Sequence, residues 1–253
     1  MDLFDLTGKR AIITGAAGDL GKAMAEGLYR AGARIAILDI SDKLEQAVKE
    51  IDPSAARVHG VRADLSDRQD IRRAFGEAVD ALGGGLDILI NNAGIQRRHP
   101  VLDYPLDDWD DILEVNLTAV FILCQLAGRL MIEQKYGKII NIASMTAFVG
   151  GYSIPAYTAS KAGVAQLTKA LSNEWAQHGL NINAIAPGYM LTELSRPLVT
   201  DKEKSKEILA RIPAGRLGKP SDLIGTAIFL SSSASDYLNG AVIPVDGGYL
   251  GKG

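Results

Sequence analysis

Short apolar runs separated by longer amphipathic stretches set the tightest limit on how this chain can fold. RAIIT at 10–14, RIAIL at 34–38, LDILIN at 86–91, KIINIA at 138–143 and NINAIA at 181–186 are apolar without strict alternation. VHGVR at 58–62 and VIPV at 242–245 are weaker members of the same set. A strand that is apolar on both faces belongs in a sheet covered on both sides, the usual setting of parallel strands. Helical periodicity occupies roughly 19–31, 67–82, 106–134, 156–178 and 221–232. Strand–helix units in this order predict an α/β chain. Its expected form is a single-domain doubly wound Rossmann fold, with a seven-stranded, mostly parallel sheet and helices on both faces. Ligands of such folds bind beyond the carboxyl ends of the strands.

Bulk properties remove several function classes. A length of 253 residues suits one core, and no repeat or low-complexity linker divides it, so one domain over 1–253 is expected. The net charge of −3 offers no broad basic surface for nucleic acid. One cysteine, Cys124, excludes an intrachain disulfide and fits a reducing compartment. The opening MDLFDLTGKR has no apolar signal core, and no apolar run is expected to span a bilayer, so a cytoplasmic protein without a membrane partner is predicted. The helix at 106–134 has more apolar residues than one sheet-facing stripe needs, among them Leu113, Val115, Leu117, Phe121, Leu126 and Leu130. That surplus predicts self-association.

TGAAGDLG, residues 14–21, follows the first strand directly and opens the first helix. A glycine-rich turn here lets the main chain approach a pyrophosphate, with the helix N-terminus supplying N–H donors and partial positive charge. Gly15, Gly18, Asp19, Leu20 and Gly21 are therefore candidate cofactor residues. Asp39 ends the next strand, where a carboxylate can accept from the ribose hydroxyls and repel a 2′-phosphate; this predicts NAD. A P-loop fails, because Ala16 stands where its first glycine belongs and Ala23 where it needs Ser or Thr. Asp19 is expected to cap the helix with its side chain turned from the phosphates.

Tyr157 and Lys161 lie four apart at the start of a helical run and so share a face. A nearby ammonium stabilises a phenolate, making Tyr157 a candidate proton acceptor from a substrate hydroxyl. Ser144, at the end of the fifth strand, can hydrogen-bond the same oxygen.

Across essentially its whole length the chain resembles the short-chain dehydrogenase/reductase family. TGAAGDLG, Asp39, ADL at 63–65, NNAG at 91–94, Asn116 in EVNLT, Ser144, YTASK at 157–161, APG at 186–188 and VDGG at 245–248 carry the resemblance in order. It implies a dinucleotide-binding half at about 1–135 and a catalytic and substrate part at about 136–253. It also implies a catalytic tetrad of Asn116, Ser144, Tyr157 and Lys161, with Asn116 supporting a proton relay through Lys161. Cofactor contacts are implied for Asp64 and Leu65 at the adenine, and for Asn91, Ala93 and Gly94 beside the central strand. Tyr157 and Lys161 join them, with Pro187, Gly188 and Thr192 at the nicotinamide. A homotetramer built on the two long helices is implied too. In the glycine turn, Asp19 replaces the family's middle glycine, which bears on the pyrophosphate contacts.

Within the family, NNAGIQRRHP at 91–100 is similar to the gluconate 5-dehydrogenase group. KIINIASM, APGYMLTE and RIPAGRLG resemble the 2-deoxy-D-gluconate 3-dehydrogenase (2-dehydro-3-deoxy-D-gluconate 5-dehydrogenase) group. Both imply a small-molecule sugar-acid substrate, and a carboxylate calls for a cation such as Arg97 or Arg98. Gln96, Arg97, Ser144, Met145, Tyr157 and Tyr189 are the candidate substrate residues, and 189–212 reads as a lid. Reduction of a carrier-bound acyl ketone and non-catalytic dinucleotide sensing are the competing functions. Asp39 argues against the first, and the intact Tyr157/Lys161 pair against the second. Asp107, Asp108, Asp110 and Asp111 are expected to be solvated in a first helical turn. His59, His99 and His178 lack metal-ligand spacing, and no catalytic metal is predicted.

Overall fold

The computed structural model describes residues 3–54, 56–193 and 202–252. Its strands are β1 (Arg10–Thr14), β2 (Arg34–Asp39), β3 (Val58–Arg62), β4 (Ile88–Asn91), β5 (Gly137–Ile142), β6 (Leu180–Pro187) and β7 (Val242–Val245). They form one seven-stranded sheet in the order β3-β2-β1-β4-β5-β6-β7. Every neighbouring pair is parallel. The order reverses between β1 and β4, so the chain leaves adjacent strands in opposite directions there and opens a crevice above their carboxyl ends. The fully buried patterns of β4, β5 and β6 explain why their sequences do not alternate.

The helices are α1 (Asp19–Arg30), α2 (Leu44–Ile51), α3 (Arg68–Ala81), α4 (Leu106–Leu113), α5 (Ala119–Gln134), α6 (Pro155–Trp175), α7 (Lys202–Ala210) and α8 (Ile224–Ser231). One core lies under α3, α5 and α6, joined by alternate strand residues such as Ile12, Leu38, Leu89 and Ile139. The other lies under α1, α2 and α8 with Ile13, Ile37, Ile90 and Ile140. Adjacent strand residues thus feed opposite layers. Asp67 caps α3 by accepting from the backbone N–H of Gln69 and Asp70. Pro155 begins α6 at a position that needs no N–H donor.

Three expectations change. The sequence reading passed over α2, an eight-residue helix whose buried Leu44, Ala47, Val48 and Ile51 make too short a stripe to stand out. The segment 106–134 is continuous helix, but Glu114–Thr118 forms a π-helical turn between α4 and α5. At 29 residues, Leu106–Gln134 is also long and apolar enough to cross a membrane by length and composition, contrary to the sequence reading. About half of its most apolar stretch is buried within the fold. Ile112, Val120, Ile122, Leu123 and Met131 are buried, and Val115, Leu117, Leu126 and Leu130 pack partly against the core. Of the large apolar residues on α5, Phe121 stands out at 44% exposure. The fold itself therefore covers the apolar surplus of this segment only in part. Of the expected lid at 189–212, residues 194–201 lie outside the described residues.

Candidate active site

A cleft of about 1150 Å³ runs over the carboxyl ends of the strands. One end is lined by Gly15, Gly18, Asp19, Leu20, Gly21, Asp39, Asp64 and Leu65, the other by Ser144, Met145, Tyr157, Gln96, Arg97, Arg98 and Tyr189. Ala93, Gly94, Lys161, Pro187, Gly188 and Thr192 also line it. Eighteen positions singled out from the sequence for cofactor or chemistry are spread along the chain, and the strand order brings all but Asn91 and Asn116 to the lining of this cleft.

The glycine turn is shaped by close approach. A Cβ on Gly21 would stand 2.3 Å from the carbonyl oxygen of Gly15, and one on Gly15 would stand 2.7 Å from the Cα of Ala93. Gly15 has φ of 65°, in the left-handed region where side chains are costly. Its N–H donates to the Leu38 carbonyl at 2.8 Å, tying the turn to β2. Asn92 fixes the other side: its side-chain amide donates to the carbonyls of Thr14 and Gly15 at 3.0 and 2.9 Å. The Thr14 hydroxyl accepts from the backbone N–H of Asn92 and Ala93. Gly18, the N-cap of α1, supplies no side-chain cap, so helix N–H groups stay available for an anion. The Asp39 carboxylate accepts from the N–H of Ala17 at 2.8 Å and of Ser41 at 2.9 Å, holding it at the cleft. These features fit a dinucleotide: space where a Cβ would intrude, donors for its phosphates, and an acceptor for its ribose.

Asp19 does not cap the helix. It is the first residue of α1, one position past the N-cap, with φ of 40°. Its carboxylate accepts from the backbone N–H of Glu193 at 3.0 Å, linking the glycine turn to the chain beyond β6. A left-handed residue without glycine stores about 1–3 kcal/mol of strain, which tertiary contacts must offset.

Asn91 also departs from its expected place. Its side chain is 2% exposed and turns into the core, where its amide donates to Asn141 at 2.8 Å and contacts the Cys124 sulfur at 3.3 Å. Side chains alternate along β4, so Asn92 and not Asn91 faces the nucleotide turn. Burial drives the Cys124 thiol up to about 12, so it stays protonated.

At the chemical end, Tyr157 sits in the first turn of α6 and Ser144 ends the loop after β5. Both line the cleft, and the Ser144 side chain lies close enough to act on the Tyr157 phenol. Poorly polar surroundings raise the Tyr157 phenol; the Ser144 side chain and the charge of Arg98 pull it back down. Lys161 is not among these influences. Its ammonium lies 5.8 Å from the Tyr157 ring centre and donates to the Ile142 carbonyl at 2.7 Å. Burial depresses Lys161 to about 8. Within the polypeptide, then, Ser144 and Arg98 temper the phenol, not the amine four residues on. Asn116 sits in the π-helical turn, fully buried behind the cleft. It accepts from the Ile95 N–H at 2.8 Å and donates to the Ile95 carbonyl at 2.9 Å and to Ser160 at 3.3 Å. A Cβ on Gly94 would lie 3.2 Å from Asn116 and 3.5 Å from the Lys161 ammonium, so these groups share one small space. Widening a helix by one residue is a frequent device at functional sites.

Arg97 lines the cleft, but its guanidinium is engaged by two carboxylates, Asp108 at 2.7 Å and Asp111 at 2.6 Å. His99 meets Asp108 at 2.6 Å as well. The acids of α4 are thus only partly a solvated first turn: two of them brace the loop after β4. Sequence reasoning missed Asn92, Arg211 and Tyr249. The last two also line the cleft, and only the folding of the C-terminal segment brings them there. Among the described residues, no group of three His, Cys, Asp or Glu is placed to hold a metal.

A doubly wound sheet with a nucleotide turn and a serine–tyrosine–lysine group at one cleft defines a dinucleotide-dependent oxidoreductase site. The short chain dehydrogenase family model matches residues 9–203. The chain is 47% identical over 253 residues to 2-dehydro-3-deoxy-D-gluconate 5-dehydrogenase of Dickeya dadantii, covering 100% of this chain and 99% of that one. It is 43% identical to 5-keto-D-gluconate 5-reductase of Escherichia coli, covering 98% of each. A crystal structure of a gluconate 5-dehydrogenase from Burkholderia cenocepacia, in complex with NADP and tartrate, superposes with a TM-score of 0.94 at 41% identity. The match covers 100% of this chain and 99% of that one. This protein belongs to the short-chain dehydrogenase family.

Proposed function

We propose that this enzyme interconverts a secondary alcohol and a ketone on a sugar acid, using NAD in preference to NADP. The 2-dehydro-3-deoxy-D-gluconate 5-dehydrogenase reaction is its leading form, and oxidation of gluconate at C5 the second. The observation that carries the reading is the Ser144–Tyr157 pair facing the same cleft as the glycine turn and Asp39, in a chain matched end to end by sugar-acid dehydrogenases. A bound nicotinamide supplies the site that accepts or returns hydride.

The chain's own residues handle the oxygen and its proton. Ser144 hydrogen-bonds the reacting oxygen and fixes its position. Tyr157 takes the hydroxyl proton in oxidation and returns it in reduction. The Lys161 ammonium, a buried cation beside Asn116, holds the ribose side of the cofactor. Asn116 keeps the main chain at Ile95 open for a relay to solvent. Proton transfer of this kind is worth about 10²–10⁴-fold. Oxidation should therefore speed up as pH rises through the Tyr157 titration, and ketone reduction should slow.

The preference for NAD rests on Asp39, whose charge opposes a 2′-phosphate, with Ile40 beside it, 54% exposed and without charge. The B. cenocepacia relative binds NADP, so the two cofactors must be compared directly. We also propose a cytoplasmic homotetramer assembled on α4, α5 and α6, supported by the exposed Phe121, Leu102 and Leu106. The deciding experiment is a panel of sugar acids with NAD and with NADP, read by absorbance of the reduced nicotinamide. Turnover of 2-dehydro-3-deoxy-D-gluconate or gluconate at least tenfold more efficient with NAD is expected. No turnover of any sugar acid with either cofactor would refute the reading.

A further inference from the structure

The substrate end of the cleft contains three arginines, and they are not equivalent. Arg97 is committed to Asp108 and Asp111. Arg98 makes one long bond to the Tyr152 carbonyl at 3.4 Å and has no carboxylate partner among the described residues. Arg211, just past α7, likewise has no carboxylate partner among the described residues; its guanidinium lies over the ring of Tyr249, 4.8 Å from the centre. Tyr249 in turn meets Tyr189 edge to face, with ring centres 5.6 Å apart. All four of Arg98, Arg211, Tyr189 and Tyr249 line the cleft.

The seat of Arg211 is well defined for an exposed side chain. The Ala214 N–H donates to the Gly247 carbonyl at 2.9 Å, and the Lys252 ammonium donates to the Ala210 carbonyl at 2.6 Å. Gly247 and Gly248, both left-handed, pack so closely on Ile212, Ala214 and Pro213 that a Cβ there would stand about 3 Å from them. The turn that presents Tyr249 and the segment that presents Arg211 are thereby locked together. Both arginines bear on one place: the charges of Arg98 and Arg211 each act on the Tyr189 hydroxyl, and Arg98 also acts on Tyr157. Two guanidinium groups without acid partners among the described residues, lining the same cleft as Tyr157, form a site for an anion.

We infer that Arg211, held over Tyr249, binds the substrate's carboxylate together with Arg98, while Arg97 serves only to brace its loop. This rests on the sugar-acid reading above and sets the direction of the substrate: carboxylate toward the C-terminal turn, reacting hydroxyl toward Tyr157. A guanidinium matches a carboxylate with two parallel hydrogen bonds, and the flat Tyr249 ring limits the positions it can take.

The test compares a sugar acid with its uncharged carboxamide in the full-length enzyme. Arg211→Gln is expected to reduce the preference for the acid, as a ratio of kcat/KM, about tenfold, mainly through KM. Arg211→Lys should keep more of the preference than Arg211→Gln does, and the Kd for NADH should hold in both. An unchanged preference in Arg211→Gln, with the wild-type enzyme turning over the acid, overturns the carboxylate clamp and leaves the sugar-acid reading intact. Failure of the wild type to turn over any sugar acid removes both.

Discussion

The two ends of the cleft are built by opposite means. At the nucleotide end the main chain makes the site: Gly15 and Gly21 are small because neighbouring backbone fills the space a Cβ would need. Asp39 and Asn92 are held by backbone partners. At the substrate end, side chains from the loop after β4, the end of β6, the end of α7 and the C-terminal turn converge, several of them exposed. A backbone-made site tolerates few residue types and so is conspicuous in a sequence. A site assembled from side chains of four segments tolerates many, and so can change substrate while the cofactor half stays fixed.

The contrast can be tested at its hinge first. Tyr157→Phe removes the proposed proton carrier without disturbing the nucleotide end, so turnover should fall about 10³-fold while NADH titration gives a nearly unchanged Kd. Turnover within tenfold of wild type would break the division of labour. At the nucleotide end, Gly21→Ala sets a methyl against the Gly15 carbonyl. Overpacking costs about 1–3 kcal/mol, so denaturant unfolding should show a loss in that range, with NADH binding weakened at least tenfold.

A smaller effect concerns the group between the two ends. Lys161 titrates near 8 in the folded chain, below the ordinary lysine value, because burial disfavours its charged form. The unfolded chain then binds the proton more readily, so stability is reduced below pH 8 and recovers as pH climbs toward 10. Lys161→Met should accordingly melt higher than wild type at pH 7, by a margin that shrinks steadily above pH 8, even as activity is lost. A margin that is flat with pH would show that the ammonium is not held at a cost. The smallest change is expected from Asp19→Gly. It removes a charge near the phosphates and a left-handed side chain, and also the bond to Glu193. The NAD Kd should stay the same or fall by a few-fold; a large rise in a fluorescence titration would make Asp19 part of the cofactor site.

Much of this was legible before any coordinates. All seven strands fall within two residues of where apolar runs placed them, most plainly the central β4, β5 and β6, which are buried along their whole length. Ser144, Tyr157 and Lys161 converge as their motif implies. What escaped notice has a common cause. The inward turn of Asn91, the π-helical turn around Asn116, the carboxylate brace on Arg97 and the reach of Asp19 to Glu193 each depend on a neighbour that sequence distance hides.

The sequence by itself determined the parallel sheet, the glycine turn and which phenol is proposed to carry the proton. Each follows from local rules: burial on both faces, glycine where a Cβ cannot fit, and an i, i+4 pair on one helix. Only the tertiary structure decided which arginines remain available at the substrate end and what surrounds the phenol. The carboxylates that engage Arg97 come from α4, while the ring that seats Arg211 comes from the C-terminal turn, and a guanidinium's availability depends on which carboxylates folding places within 4 Å of it.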